Sequence, residues 1–248
     1  MEHQCKHEGF KREEIKAVID KYDCYLAILE ADNYLPGFVY SIGLYEKFGH
    51  PEIICFGLSS NLMGGLINDV CAWVKKGNNI ETYIPYPDFL EDSDVQFLPV
   101  HKEFYSDYLG YGIRYYDISV DFPAIQMVWT DTENNFPWDE KFDPNFKFRQ
   151  PLLDRDTDFR FFEEKNLNVF TTEQALAGES VLYVYHDIDG DWQFHTYDDP
   201  NLNDAKIVCL KDIVAMDPSL NEVHNLKVGW CAFRKDINSA WEYKEYSA

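Results

Sequence analysis

The sequence predicts an α+β protein of two domains, each a mainly antiparallel sheet with one or two packed helices. Short runs rich in β-branched and aromatic residues, such as FVYSIGLY and EIICFGL, lie close together and are divided by turn residues. One long amphipathic helix follows them, and a hairpin pattern returns late in the chain. With 248 residues, 46% of them apolar, the chain can build one large core or two smaller ones. The boundary is expected near Leu153, where the run DRDTD follows, so that residues 1–153 and 154–248 form the two domains.

Residues 11–22 place Ile15, Val18, Ile19 and Tyr22 on one face with charges opposite, which predicts a short helix, and 25–29 predict a strand. Asp32 and Asn33 bring turn chemistry, and Leu35-Pro36-Gly37 leads into a central stretch, 38–77. Two neighbouring strands are expected there, 38–45 and 52–58, about the turn Phe48-Gly49-His50-Pro51. Ser59, Ser60 and Asn61 then offer N-cap side chains, and Leu62, Met63, Leu66, Ile67, Val70, Cys71 and Val74 recur at helical spacing. Lys75, Lys76 and Gly77 close that helix. No phosphate cradle is spelled at its start: G-x-G-x-x-G is missing, and Gly57 is not followed by the Gly-Lys-Ser/Thr of a P-loop. Ser59 is no nucleophile elbow, because Asn61 stands where that motif needs Gly.

Residues 78–99, with prolines and clustered acids, are expected as an irregular connection with short extended pieces. Residues 101–109 read as a helix ended by Gly110, and 115–120 and 124–129 as strands. Phe136, Trp138, Phe142, Phe146 and Phe148 stand in a Pro-, Asn- and Asp-rich piece, which predicts an ordered wrapping loop because exposing so many rings is costly. The second domain begins poorly structured and then forms a hairpin, VLYVYHD and DWQFHTY, about Asp189-Gly190. Residues 206–216 read either as strand into helix or as one helix, stopped by Asp217-Pro218. Closing strands are expected at 230–234 and 240–243.

The formal net charge is −22, with a pI near 4.5. A surface so acidic repels phosphate backbones and anionic membranes and draws in basic partners, so neither nucleic acid nor membrane is expected as a partner. Residues 154–204 hold 13 Asp and Glu against 3 Lys and Arg, whereas 205–248 hold six of each. The densest negative surface is therefore expected around the late hairpin. No apolar run approaches the roughly 18 to 20 residues of a membrane span, and MEHQCKHEGFKREE lacks the apolar core of a signal peptide, so a cytoplasmic location is expected. Cys5, Cys24, Cys55, Cys71, Cys209 and Cys231 form no Cys-x-x-Cys pair and are expected as reduced thiols, most of them buried.

Tyr40-Ser41-Ile42-Gly43-Leu44, Phe48-Gly49-His50-Pro51-Glu52, Gln126 with Val128-Trp129 and Asp131, Phe136-Pro137-Trp138-Asp139 and Gln150-Pro151-x-Leu153 follow one another in order. Through them residues 10–153 resemble a bacterial domain family of unknown function. Thr130 and Asn134 or Asn135 replace a Pro and a Gly usual in that family, departures that touch loop geometry. Gly190-Asp191-Trp192-Gln193-Phe194, Asp217-Pro218-Ser219-Leu220 and Gly229-Trp230-Cys231-Ala232-Phe233-Arg234 give the C-terminal region a likeness to immunity-protein domains encoded beside bacterial polymorphic toxins. That resemblance implies a protein that neutralises a toxin by binding it, and transfers no catalytic residue.

Candidate chemistry is sparse. His50 and Glu52, with Trp129, Asp131 and Trp138, are the candidates for a ligand pocket, since His titrates near neutral pH and a carboxylate can hold its ring. The competing reading makes His50 a turn residue bonded to backbone and Asp131 and Asp139 turn caps in the aromatic loop. Asp187-Ile188-Asp189-Gly190-Asp191 departs from a calcium loop in the place of its Gly and in having Asp198 at the twelfth position, and reads as a hairpin tip. His3, Cys5 and His7 at a chain end lack a fourth ligand nearby, so no metal is assigned. Rings make up 17% of the residues, enough to stack a flavin and equally suited to cores and interfaces.

Two functions follow as expectations. The first is an immunity protein that covers a cognate basic toxin, with Asp187, Asp189, Asp191, Asp198, Asp199 and Asp204 as the contact patch and no catalytic residue, metal or cofactor. The second is an enzyme or sensor whose N-terminal domain binds a flavin or another small ligand. Oligomeric state is left open.

Overall fold

Ile15 and Ile19, four apart on one face, set down the first helix, α1 (Arg12–Tyr22). Asp23, at φ 72°, stops it with its N–H on the Ile19 carbonyl. The computed structural model describes residues 11–155, 158–198 and 202–246, and His3, Cys5, His7 and Asp199 lie outside them. The chain divides into two compact units between Asp154 and Arg155.

In the first unit β1 (Tyr25–Leu29) and β2 (Phe38–Ile42) pair antiparallel. The strand expected over 38–45 stops at Ile42, because Gly43, at φ 113°, swings the chain into α2 (Leu44–Phe48). A Cβ at Gly43 would lie 2.9 Å from the Ile19 side chain, so the turn needs glycine for both its backbone and its space. β3 (Glu52–Phe56) pairs with β2, and α3 (Ser60–Lys75) follows with the Ser59 hydroxyl accepting from the Leu62 N–H.

Residues 78–99 differ from expectation: they hold β4 (Pro85–Leu90) and β5 (Ser93–Pro99), an antiparallel pair. β4 tolerates its prolines because it is the edge strand, where a missing N–H breaks no ladder. The helix expected at 101–109 is a 3-10 turn, Lys102–Phe104, running into α4 (Tyr105–Tyr108). Gly110 does not end it, but opens α5 (Gly110–Tyr115). The strand expected at 115–120 is absent. Asp117 and Ile118 turn at positive φ, and the Lys102 ammonium holds the carbonyls of Val120 and Phe122. β6 (Ala124–Trp129) completes a six-stranded sheet of order β1-β2-β3-β6-β5-β4, in which only β3 and β6 run parallel.

That sheet is covered on both faces. α3 places Met63, Ile67, Val70 and Cys71 against Val39, Ile53, Cys55, Phe97 and Met127. α1, α4 and α5 bring Ile19, Tyr105, Leu109 and Tyr115 to Phe38, Tyr40, Ile54 and Phe56 on the other side. Burial on both sides explains why β2, β3 and β6 are buried at every position and mostly apolar, with Ser41, Glu52 and Gln126 as their polar exceptions.

The second unit carries β7 (Asn168–Thr172), where no ordered element was expected, then α6 (Glu173–Leu176). β8 (Tyr183–His186) and β9 (Trp192–His195) form the expected hairpin. Of the two readings of 206–216, strand into helix is found: β10 (Ala205–Cys209) and α7 (Leu210–Met216). β11 (Trp230–Phe233) and β12 (Glu242–Glu245) close the sheet, whose order is β10-β7-β9-β8-β11-β12 with β7 and β9 parallel. Val184, His186, Trp192 and Phe194 share one face. There Phe161 packs on the Trp192 and Phe194 rings and His186 Nδ1 donates to the Leu226 carbonyl.

Arg234 anchors the end of β11. Its guanidinium is 3% exposed, donates to the Val181 carbonyl, the Ser219 hydroxyl and the Asp217 carboxylate, and stacks on Trp241 at 4.2 Å. Arg234→Ala strips every one of these partners, and urea denaturation should show the second unit destabilised by about 3–5 kcal/mol. His195 and His224 are both buried, and desolvation pushes each down to about 4 from the ordinary 6.5. The unfolded chain therefore binds protons first: stability is complete above about pH 6.5 and falls as the pH drops toward 4, by at most about 3 kcal/mol per histidine. His224→Gln should flatten this pH dependence in unfolding followed by tryptophan fluorescence.

Candidate functional site

The five residues expected around a ligand pocket fall into three separate places. His50 is buried, with Nδ1 donating to the Pro51 carbonyl at 2.7 Å, and burial pushes its pKa below the ordinary value. It has the geometry of a turn residue. Glu52, two residues on, starts β3 opposite Ala124 of the parallel strand β6. Trp129 lies five residues further along β6, about 16 Å away at ~3.3 Å per residue. Trp138 is at the surface, stacked on Phe136 with ring centroids 4.9 Å apart.

Glu52 is a heavily used polar group of the first unit. Its carboxylate, 1% exposed, accepts from the Ser41 hydroxyl at 2.6 Å, the Gly43 N–H at 2.9 Å, the Tyr45 N–H at 3.1 Å and the Tyr116 hydroxyl. Ser41 Oγ in turn accepts from the Ile53 N–H at 2.9 Å. Burial pushes the Glu52 pKa up, and those four donors act against it. One carboxylate thus ties β2, the start of α2, β3 and the end of α5 together.

A second polar knot closes the far end of the unit. Gln126 donates to the Pro151 carbonyl and accepts from the Leu153 N–H, while Gln150 bonds both the N–H and the carbonyl of Trp129. Trp129 Nε1 donates to the Phe56 carbonyl at 2.8 Å. Asp131, 4% exposed, accepts the N–H groups of Glu133, Asn135 and Asp143, each at 2.9 Å. Burial pushes its carboxyl up, but the backbone donors outweigh that and hold it below the usual range. Asp139 takes the Phe136 N–H at 2.7 Å. These carboxylates shape the aromatic loop.

Each unit holds a hollow among its described residues, and none of the five candidates lines either one. One of about 390 Å³ lies in the first unit between Gly37, Gly57, Ser59 and Arg149. The other, of about 690 Å³, lies in the second beside Arg160, Lys165, Lys211, Asp212 and Glu222. Sequence reasoning named neither, because each joins residues far apart along the chain.

The acidic candidates sit at the two ends of β9. At the hairpin tip Asp187 accepts the N–H groups of Asp189 and Asp191 and the amide of Gln193, so it shapes the turn, while Asp189 and Asp191 are exposed. Past the other end, exposed Asp198 takes the Tyr185 hydroxyl at 2.6 Å, and half-buried Asp204 takes the Tyr197 hydroxyl and the Gln174 amide.

Between those ends lies the sheet face opposite Phe161. Strand alternation and register put Phe170, Ile207, Tyr183, Tyr185, Gln193, His195, Cys231 and Phe233 on it. Tyr183 stacks on Phe233, Tyr185 lies against His195 and Tyr246, and Lys244 stands over Phe233. Ile207 remains 64% exposed and Phe170 38%. No element expected from the sequence signalled this face, because its residues come from five strands.

Fold and site together define a two-unit α+β protein whose buried carboxylates build architecture and whose exposed ones flank an aromatic sheet face. The chain belongs to the family described as Domain of unknown function (DUF4262), whose model matches residues 18–143. That match lies within the first unit and contains Ser41, Gly43, Glu52, Gln126, Trp129 and Asp131. No curated protein and no solved structure matches the chain.

Replacing Glu52 by Ala leaves four donors facing a void, so the first unit should lose about 3 kcal/mol or more in urea denaturation. Glu52→Gln should lose less, since an amide oxygen still accepts two of them.

Proposed function

We propose that this protein acts by binding, as an immunity protein that neutralises a cationic bacterial toxin by covering it with the open face of its second sheet. The observation that supports the reading is the pairing of exposed Ile207 and Phe170, and half-buried Phe233 and Tyr183 on the same face, with acids at both ends of the neighbouring strand β9. Rings bury a large area at low ordering cost, and a flanking negative field speeds encounter with a basic surface. The whole chain carries a net charge of −22, which adds to that steering. The likeness of residues 190–234 to immunity-protein domains suggests the same class of partner. Asp189 and Asp191 are the acids free to steer, while Asp187, Asp198 and Asp204 hold the hairpin, the Tyr185 hydroxyl and the β10 approach in place.

The test uses the protein encoded immediately upstream as the partner. Co-expression should restore growth against it, and the two should co-purify. Asp189→Lys with Asp191→Lys should slow association about tenfold at low salt and flatten its salt dependence. Ile207→Asp should speed dissociation. Unchanged kinetics in both variants would remove this face from the interface, and toxicity unrelieved by the wild-type chain would remove the reading.

A further inference from the structure

Two cysteines of the first unit stand closer than their distance in sequence suggests. Cys24 follows the left-handed turn at Asp23, at the entry to β1, and Cys71 lies 47 residues on, on the buried side of α3 beside Ile67, Val70 and Val74. Their Sγ atoms are 3.0 Å apart. That is a closer approach than unbonded sulfurs usually make, and about 1 Å more would reach the ~2.05 Å of a disulfide. A second tether spans the same gap. Lys75, one turn beyond Cys71, is ion-paired with Asp23, the neighbour of Cys24, so the segment and the helix are already held against each other. Exposure separates this pair from the other buried thiols. Cys24 and Cys71 are 6% and 8% exposed, at the rim of the core, whereas Cys55 and Cys231 are fully enclosed.

We propose that Cys24 and Cys71 are a reversible thiol–disulfide site, oxidised by hydrogen peroxide to a bond that staples α3 to the start of β1. The two sulfurs share a hydrogen bond that holds the Cys24 thiol below its ordinary pKa, so Cys24 serves as the attacking sulfur. Its thiolate attacks one peroxide oxygen, the O–O bond breaks, and Cys24 becomes a sulfenic acid as the departing hydroxide takes up a proton to form water. The Cys71 sulfur then attacks the Cys24 sulfur. The S–O bond breaks and the hydroxyl leaves with the Cys71 proton as a second water. Two thiols have given up two electrons, and one peroxide has become two waters. A small dithiol reverses the step by exchange.

The full chain, reduced and then treated with hydrogen peroxide, should lose two of its six thiols when alkylated under denaturing conditions. Peptide mapping should find Cys24 joined to Cys71 within one chain. The melting transition of the first unit should rise by about 5–10 °C and return on treatment with a dithiol. Cys24→Ser and Cys71→Ser should each abolish the internal cross-link; if either fails to fold, the peptide map of the oxidised wild type decides alone. Retention of all six thiols, a bond to any other cysteine, or irreversible oxidation of Cys24 with Cys71 left free would overturn the proposal.

Discussion

A carboxylate taken out of water must find hydrogen-bond partners on every side, and Glu52 meets that demand by recruiting four donors. Much of the first unit is arranged around this. Gly43 has to turn at positive φ for its N–H and that of Tyr45 to point at the same oxygen. Ser41 must lie in the adjacent strand with its hydroxyl facing Glu52, which also lets it accept the Ile53 N–H. Tyr116 must emerge from α5 within reach, which fixes where that helix ends. The geometry that a catalytic pair would occupy is here a structural clamp. His50, with its ring bonded to its neighbour's carbonyl and Glu52 spent on other donors, has no carboxylate to orient it.

The two sheets have the same number of strands and opposite surroundings. Helices cover both faces of the first, so its central strands are mostly apolar, and the polar residues they do carry, Ser41, Glu52 and Gln126, are buried and hydrogen-bonded. In the second, the face bearing Phe161 and His186 is packed, while the opposite face carries rings that shield one another and leave Ile207 and Phe170 in solvent. A surface of that kind costs free energy in isolation. Exposed acids flank it at the hairpin tip and past the other end of β9.

Several elements were legible because local chemistry decided them. The spacing of Met63, Ile67, Val70 and Cys71 and the Ser59 cap specify α3 whatever packs on it, and Asp189-Gly190 specifies the β8–β9 turn. The β4–β5 pair was not legible, because prolines suit an edge strand and only the finished sheet shows which strand is the edge. Residues 115–120 misled for the converse reason. Their rings and β-branched side chains favour a strand, but Tyr115 and Tyr116 are needed at Glu46 and Glu52, and Lys102 satisfies the carbonyls that a ladder would have used. The Cys24–Cys71 approach leaves no trace in spacing, since 47 residues separate two thiols that only α3 and β1 bring together.

The order of residues alone determined the class, α+β with a strongly acidic surface, and the local punctuation of helices and turns, because those depend on period, caps and charge within a few neighbours. Tertiary structure decided which carboxylates are buried clamps and which face water, since that depends on how each loop folds around its acid and, at Glu52, on a donor as distant as Tyr116. Asp131 and Asp189 look alike in sequence. One is enclosed by three backbone N–H groups of its loop and the other stands in solvent at a hairpin tip, and only the packing around each makes that difference.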